Sequence, residues 1–167
     1  MELNGTGAGC LIVCVALITA VWTIPKACSD IKEMDAAYNK EDTRGEFKDI
    51  ELEHGVQKNG VRGMNVTVDF NVKGMKGRQG CCSVYFYYEN GSKVLDHDND
   101  HLAYSYDINP RYDDSHYTDF SFFIPYSRFN MPVGRYKFKC YCSVHEWVNS
   151  SYKQILTSDW AYFSLTR

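Results

Sequence analysis

Cys81-Cys82-Ser83-Val84-Tyr85-Phe86-Tyr87-Tyr88 is the stretch on which the fold turns. Along an extended strand successive side chains point to opposite faces. Cys82, Val84, Phe86 and Tyr88 therefore share one side, and Cys81, Ser83, Tyr85 and Tyr87 share the other. The first side is apolar and the second amphipathic, which is the pattern of a central strand in a β-sandwich. The chain is also rich in tyrosine and phenylalanine, with 13 and 9 of its 167 residues, and these suit a pleated, half-buried surface.

Similar alternation recurs on both sides of this strand. Residues 47–53 alternate weakly, with Ile50 and Leu52 against Glu51 and Glu53, and His54-Gly55 is expected to end them. Residues 64–73 alternate without a break. Met64, Val66, Val68, Phe70 and Val72 lie on one face, with Asn65, Thr67, Asp69, Asn71 and Lys73 on the other. A Gly/Lys turn over 74–80 leads into the central strand, and Asn90-Gly91 after it is a tight-turn signal. Further strands are expected over 102–108, 117–124, 136–144 and 160–165, separated by polar loops and by the turn Met131-Pro132-Val133-Gly134. Short strands at this spacing predict an all-β, antiparallel two-sheet sandwich of the immunoglobulin or C2 type with seven or eight strands, and a closed barrel is the second choice.

Residues 8–24 are an uncharged apolar run closed by Pro25-Lys26. As a helix it would be about 25 Å long against about 30 Å of bilayer core, so it suits either a single-pass anchor or a signal peptide. It has no polar face, which argues against a buried core helix. The expected organisation is a signal peptide or transmembrane anchor over 1–27, a linker over 28–46 and the sandwich over 47–167. Ile31, Met34, Ala37 and Tyr38 recur at helical spacing within the linker. Lys26, Lys32 and Lys40 follow the run, so a retained anchor would leave the domain in the cytoplasm, whereas cleavage would export it to the cell envelope or beyond. The net charge of −3, with mixed signs and no basic run, excludes nucleic acid as a partner.

Four groups of residues are candidates for a site. Cys82, Cys140 and Cys142 fall on inward faces and read as buried thiols; a disulfide between Cys81 or Cys82 and Cys140 or Cys142 would need an exported domain. A zinc site from Cys82, Cys140, Cys142 and His145 is disfavoured, because His145 points away from the two cysteines on a straight strand. Asp96, Asp98 and Asp100 alternate as calcium ligands do, but His101 stands where an EF-hand loop needs glycine. Tyr85, Tyr87, Tyr141 and Trp147 are candidates for a ligand-binding face, since flat aromatic rings anchor protein partners or stack on sugars. Asn4, Asn65, Asn90 and Asn149 each head an Asn-x-Ser/Thr triplet, which matters only in a eukaryotic secretory route. There is no Gly-x-Ser-x-Gly, no His-Glu-x-x-His and no phosphate-binding glycine loop, so an enzyme is not expected.

Gly60-x-x-Gly63-Met64, Tyr85-Phe86-Tyr87, Phe123-Ile124-Pro125-Tyr126, Gly134-x-Tyr136-x-Phe138 and Ser158-Asp159-Trp160-x-Tyr162-Phe163 occur in this order over residues 48–167. Together they resemble a small β-sandwich module of poorly characterised gut Bacteroidota proteins, often appended to other domains. The resemblance implies a fold and carries no activity with it. The paired cysteines and the Asp/His-rich loop depart from its pattern. The expectation is therefore a non-enzymatic interaction module, held at a membrane or exported by residues 8–24. It would bind a protein partner and need no cofactor; the alternative is a carbohydrate- or calcium-dependent surface binder.

Overall fold

The structure, a computed structural model, describes residues 43–167. The apolar run, the linker up to residue 42 with its helical spacing, Cys10, Cys14, Cys28 and Asn4 lie outside the described residues; residues 44–46, expected in the linker, already belong to the first strand. Eight strands follow one another: β1 Arg44–Lys58, β2 Val61–Lys73, β3 Gly80–Tyr88, β4 Ala103–Ile108, β5 Asp114–Pro125, β6 Arg135–Val148, β7 Ser151–Thr157 and β8 Ala161–Thr166. A single 3-10 turn, Tyr126–Arg128, links β5 towards β6. Among the described residues no helix is long and apolar enough to cross a membrane.

All pairings are antiparallel. One sheet has the order β1-β2-β5. The other has the order β4-β3-β6-β7, with β8 also on β6. β6 is long enough to carry two partners on the same side. Its residues 135–140 pair with β8 and its residues 143–148 pair with β7. The all-β expectation and the two-sheet arrangement hold.

The core forms where the apolar faces meet. Met64, Val66, Val68, Phe70 and Val72 of β2 are at most 1% exposed, as the alternation requires. They face Cys82, Val84 and Phe86 of β3 and Phe138, Cys140, Cys142 and Val144 of β6, all buried in the same cluster. Phe86, Phe129, Phe138 and Phe163 stack edge and face at one end, with centroids 5.3–6.2 Å apart.

Three local expectations are corrected. β1 does not end at His54-Gly55. Gly55 takes φ +75° inside a bulge between His54 and Val56, and the strand runs on to Lys58. Asn59 and Gly60, both with positive φ, then close a two-residue hairpin into β2. β5 starts at Asp114, inside what reads as a loop. β7 has no counterpart among the expected strands, because only the adjacent Ile155 and Leu156 are withdrawn from solvent and its remaining residues are exposed, so no alternation marks it.

One ionic contact ties the two sheets at an end of the sandwich. Glu146 of β6 is 3% exposed and bonds Arg78 of the β2–β3 connection at 2.6 Å. Thr43, just before β1, donates to the same carboxylate at 3.0 Å and accepts from Arg78 at 3.1 Å. A carboxylate on an inward strand position is tolerated only with such partners.

Candidate functional site

The outward face of the five-stranded sheet carries the residues that sequence alternation singled out. Cross-strand neighbours are set by register, and they fall into rows. Tyr85 stands opposite Tyr141, and Tyr87 stands opposite Lys139, which is paired in turn with Tyr162. Below them Ser83 lies between Ser105 and Ser143, and Cys81 lies between Asp107 and His145.

The aromatic rows meet at a seam. β8 leaves β6 after Cys140, and β7 joins it at Ser143, so no strand runs beside Tyr141 on that side. The crossing segment is held by Ser158, whose N–H donates to Cys142 O at 2.9 Å while its hydroxyl accepts from Cys142 N at 2.9 Å. Trp160 follows at once and folds over the gap. The result is a hollow of about 370 Å³ with Tyr87, Tyr141 and Trp160 as aromatic walls and Lys139, Gln154 and Ser158 among its polar groups.

The rings are not one flat platform. Tyr141 lies at 26° to Tyr85 and 23° to Tyr87, with centroids 5.3 and 6.0 Å away. Trp160 stands across them, at 89° to Tyr87 and 78° to Tyr141. Lys139 Nζ sits 4.6 Å from the Trp160 ring centroid, which holds the ring in place and occupies a face of it. His101 donates from Nε2 to Phe86 O at 2.9 Å and meets Tyr87 edge-on at 4.7 Å. Burial, helped by the hydrogen bond to Tyr87 and by the nearby Tyr85, pushes the Tyr141 hydroxyl up to about 12. It remains a neutral hydrogen-bonding group throughout the physiological range.

Tyr85, Tyr87 and Tyr141 are thus brought together, and Trp147 is not. Trp147 shares their face but lies six residues further along β6, about 20 Å at strand spacing. There it packs on Tyr152, with centroids 4.7 Å apart, beside a separate hollow of about 480 Å³. Trp160, Tyr162 and His101 complete the cluster and were missed as site residues. The Ser158-Asp159-Trp160-x-Tyr162 motif held the signal, since an exposed Trp and Tyr so close to a strand start have no core role.

The other candidates resolve differently. Cys81, Cys82, Cys140 and Cys142 are all free thiols. Register explains why: Cys82 pairs with Val144 and Cys142 with Val84, so these two cysteines are diagonal neighbours. Diagonal Cα separations of about 7–8 Å exceed what a disulfide spans. Burial pushes Cys82 and Cys142 far above the ordinary thiol range and Cys140 to about 12. The row Asp107–Cys81–His145 has the composition of a thiol centre but not its chemistry. Burial raises the Cys81 thiol and lowers His145, so the neutral forms are favoured where a nucleophile needs thiolate.

Asp96 is committed to its own loop. Its Oδ1 accepts from the N–H groups of Asp98 and Asp100 at 2.9 and 3.2 Å, and its Oδ2 accepts from Arg128 at 2.8 Å. The Asp98 N–H bond first, then those of Asp100 and Arg128, hold this carboxyl below its ordinary range. Among the described residues no group of three or more His, Cys, Asp or Glu side chains is arranged to hold a metal ion. Neither the zinc set nor the Asp96-Asp98-Asp100 set forms such a group.

Comparison with known proteins found no matching family model, no matching curated protein and no matching solved structure.

Proposed function

We propose that this domain is a non-enzymatic binding module that docks a protein partner on the aromatic face of the five-stranded sheet. The observation that carries this reading is the notch at the β7–β8 seam, where Tyr87, Tyr141 and Trp160 stand as crossed walls around about 370 Å³. Stacking on a sugar ring favours an open aromatic face. Here the rings cross at steep angles and Lys139 occupies a face of Trp160, which suits a side chain entering from a partner. Partly exposed aromatic anchors of this kind carry most of the energy of protein interfaces. Trp160 and Tyr162, at 42% and 62% exposure, have surface to lose on binding. The apolar run 8–24 would hold this face at a membrane or direct it out of the cell, and the three-plus-five sheet arrangement supports an immunoglobulin- or C2-like sandwich.

Quantitative affinity capture with the full chain tests the reading, comparing wild type with Trp160→Ala and Trp147→Ala. A protein captured by wild type and Trp147→Ala but lost with Trp160→Ala supports it. Capture unchanged by Trp160→Ala contradicts it. A glycan-array signal that Trp160→Ala alone abolishes, without any such protein, favours the carbohydrate reading instead.

A further inference from the structure

We infer that a second site, on the open edge between the β1–β2 hairpin and β8, takes a small ligand bearing a carboxylate or phosphate group. This edge holds a hollow of about 580 Å³, within the usual size range of small-molecule sites. Its lining brings together Arg62 of β2, His54 of β1, His97 of the β3–β4 loop and Arg167 after β8, with no acidic side chain among the lining residues. Four residues able to carry positive charge come from four separate segments, so sequence proximity does not account for the cluster.

The groups are positioned by bonds that leave donor capacity over. Arg167 is tied to Gly134 through both backbone groups, at 3.0 and 3.3 Å, and gives one guanidinium N–H to Met131 O at 2.5 Å. The rest of its planar fork has no carboxylate partner among the described residues. Arg62 is exposed and likewise has no carboxylate partner among them. The Tyr126 hydroxyl accepts from Gly55 N at 2.9 Å and can give its own hydrogen to His54 Nδ1 at 3.2 Å, which leaves the proton of neutral His54 on Nε2 as a donor. His97 spends its Nε2–H on Ser127 O at 2.7 Å, so it offers a donor to a ligand only when Nδ1 is also protonated. Three acids adjoin the lining histidines in sequence: Asp96 is satisfied by Arg128 and its own loop, Glu53 accepts from Asn65 at 3.1 Å, and Asp98 is not among the lining residues.

Guanidinium forks recognise carboxylate and phosphate in bidentate fashion. Met131 and Leu165 give the hollow apolar wall as well, so the ligand is an anion with an apolar body rather than a bare ion. The site lies on a different edge from the aromatic notch and does not depend on it.

The test is a thermal-shift titration of the full chain with phenyl phosphate and, separately, with benzoate, each against sodium chloride at matched ionic strength. A saturable rise in melting temperature with either anion supports the site, and the anion that acts identifies the headgroup. Arg62→Gln should leave the ligand-free melting temperature unchanged and weaken the apparent affinity by about tenfold. Lys76→Gln, in the β2–β3 connection, should change neither. No rise beyond chloride with both anions, or an unaltered affinity in Arg62→Gln, overturns the proposal.

Discussion

Replacing Glu146 by alanine removes one of two acidic residues that the described domain keeps buried. Its carboxylate bonds Arg78 at 2.6 Å and Thr43 at 3.0 Å, and the Glu146 and Arg78 side chains are 4% and 15% exposed. Removing one partner of a buried ion pair costs about 3–5 kcal/mol, because the guanidinium loses a 2.6 Å carboxylate contact in a poorly hydrated place. Arg78 keeps some access to water, so the lower end, about 3 kcal/mol, applies. For a domain of this size that lowers the melting temperature by roughly 12 °C. Urea unfolding of wild type, Glu146→Ala, Arg78→Ala and the double variant gives the cycle. The double variant should lose much less than the sum of the singles, since the contact between the two side chains is lost only once. A single-variant cost under about 1 kcal/mol, the size of one ordinary hydrogen bond, together with strict additivity would refute the reasoning.

Stability should fall as pH rises above about 9. Burial keeps the core thiols protonated in the folded state well above the ordinary thiol range, Cys140 to about 12, whereas unfolded cysteines ionise in that ordinary range. The folded state then holds more protons than the unfolded one, so each such thiol contributes a loss of about 1.4 kcal/mol per pH unit; melting temperatures across this range check it. Alkylation of Cys82, Cys140 and Cys142 should be slow in the native protein and rapid in denaturant, as followed by mass spectrometry. Adding calcium should not raise the melting temperature of wild type or of Asp98→Ala, because the Asp96 oxygens already hold Asp98 N, Asp100 N and Arg128. A saturable calcium-induced rise would show that these bonds yield to the ion.

How far the chain could be read depended on how strictly a segment alternates. β2 and β3 are legible because all five inward residues of β2 and three of the four of β3 are buried, with Tyr88 partly so. β7 was not, since one buried Leu156 gives no period, and its place is set by the Asn149-Ser150 hairpin with positive φ at both residues. His54-Gly55 looked like a stop because glycine ends strands as readily as it bulges them. Only the register with β2 decides between the two.

The site divides in the same way. Tyr85 and Tyr87 follow from alternation, and Tyr141 joins them because β6 pairs with β3 in that register. Trp160 was expected to open the last strand but lies just before it, and the seam it covers exists only because β6 has two partners. Glu146 could have been flagged: the alternation through Cys142 and Val144 puts it inward, and an inward acid requires a cation. That the cation is Arg78 depends on tertiary contact.

The most direct test of the central claim is site-specific photocrosslinking from position 162 on the aromatic face, with position 112 as the exposed control; these tyrosines are 62% and 72% accessible. The account predicts a discrete protein adduct from position 162, none from position 112, and loss of the first when Trp160→Ala is added. Adducts of equal yield from both positions, or one from position 162 that survives Trp160→Ala, would contradict it.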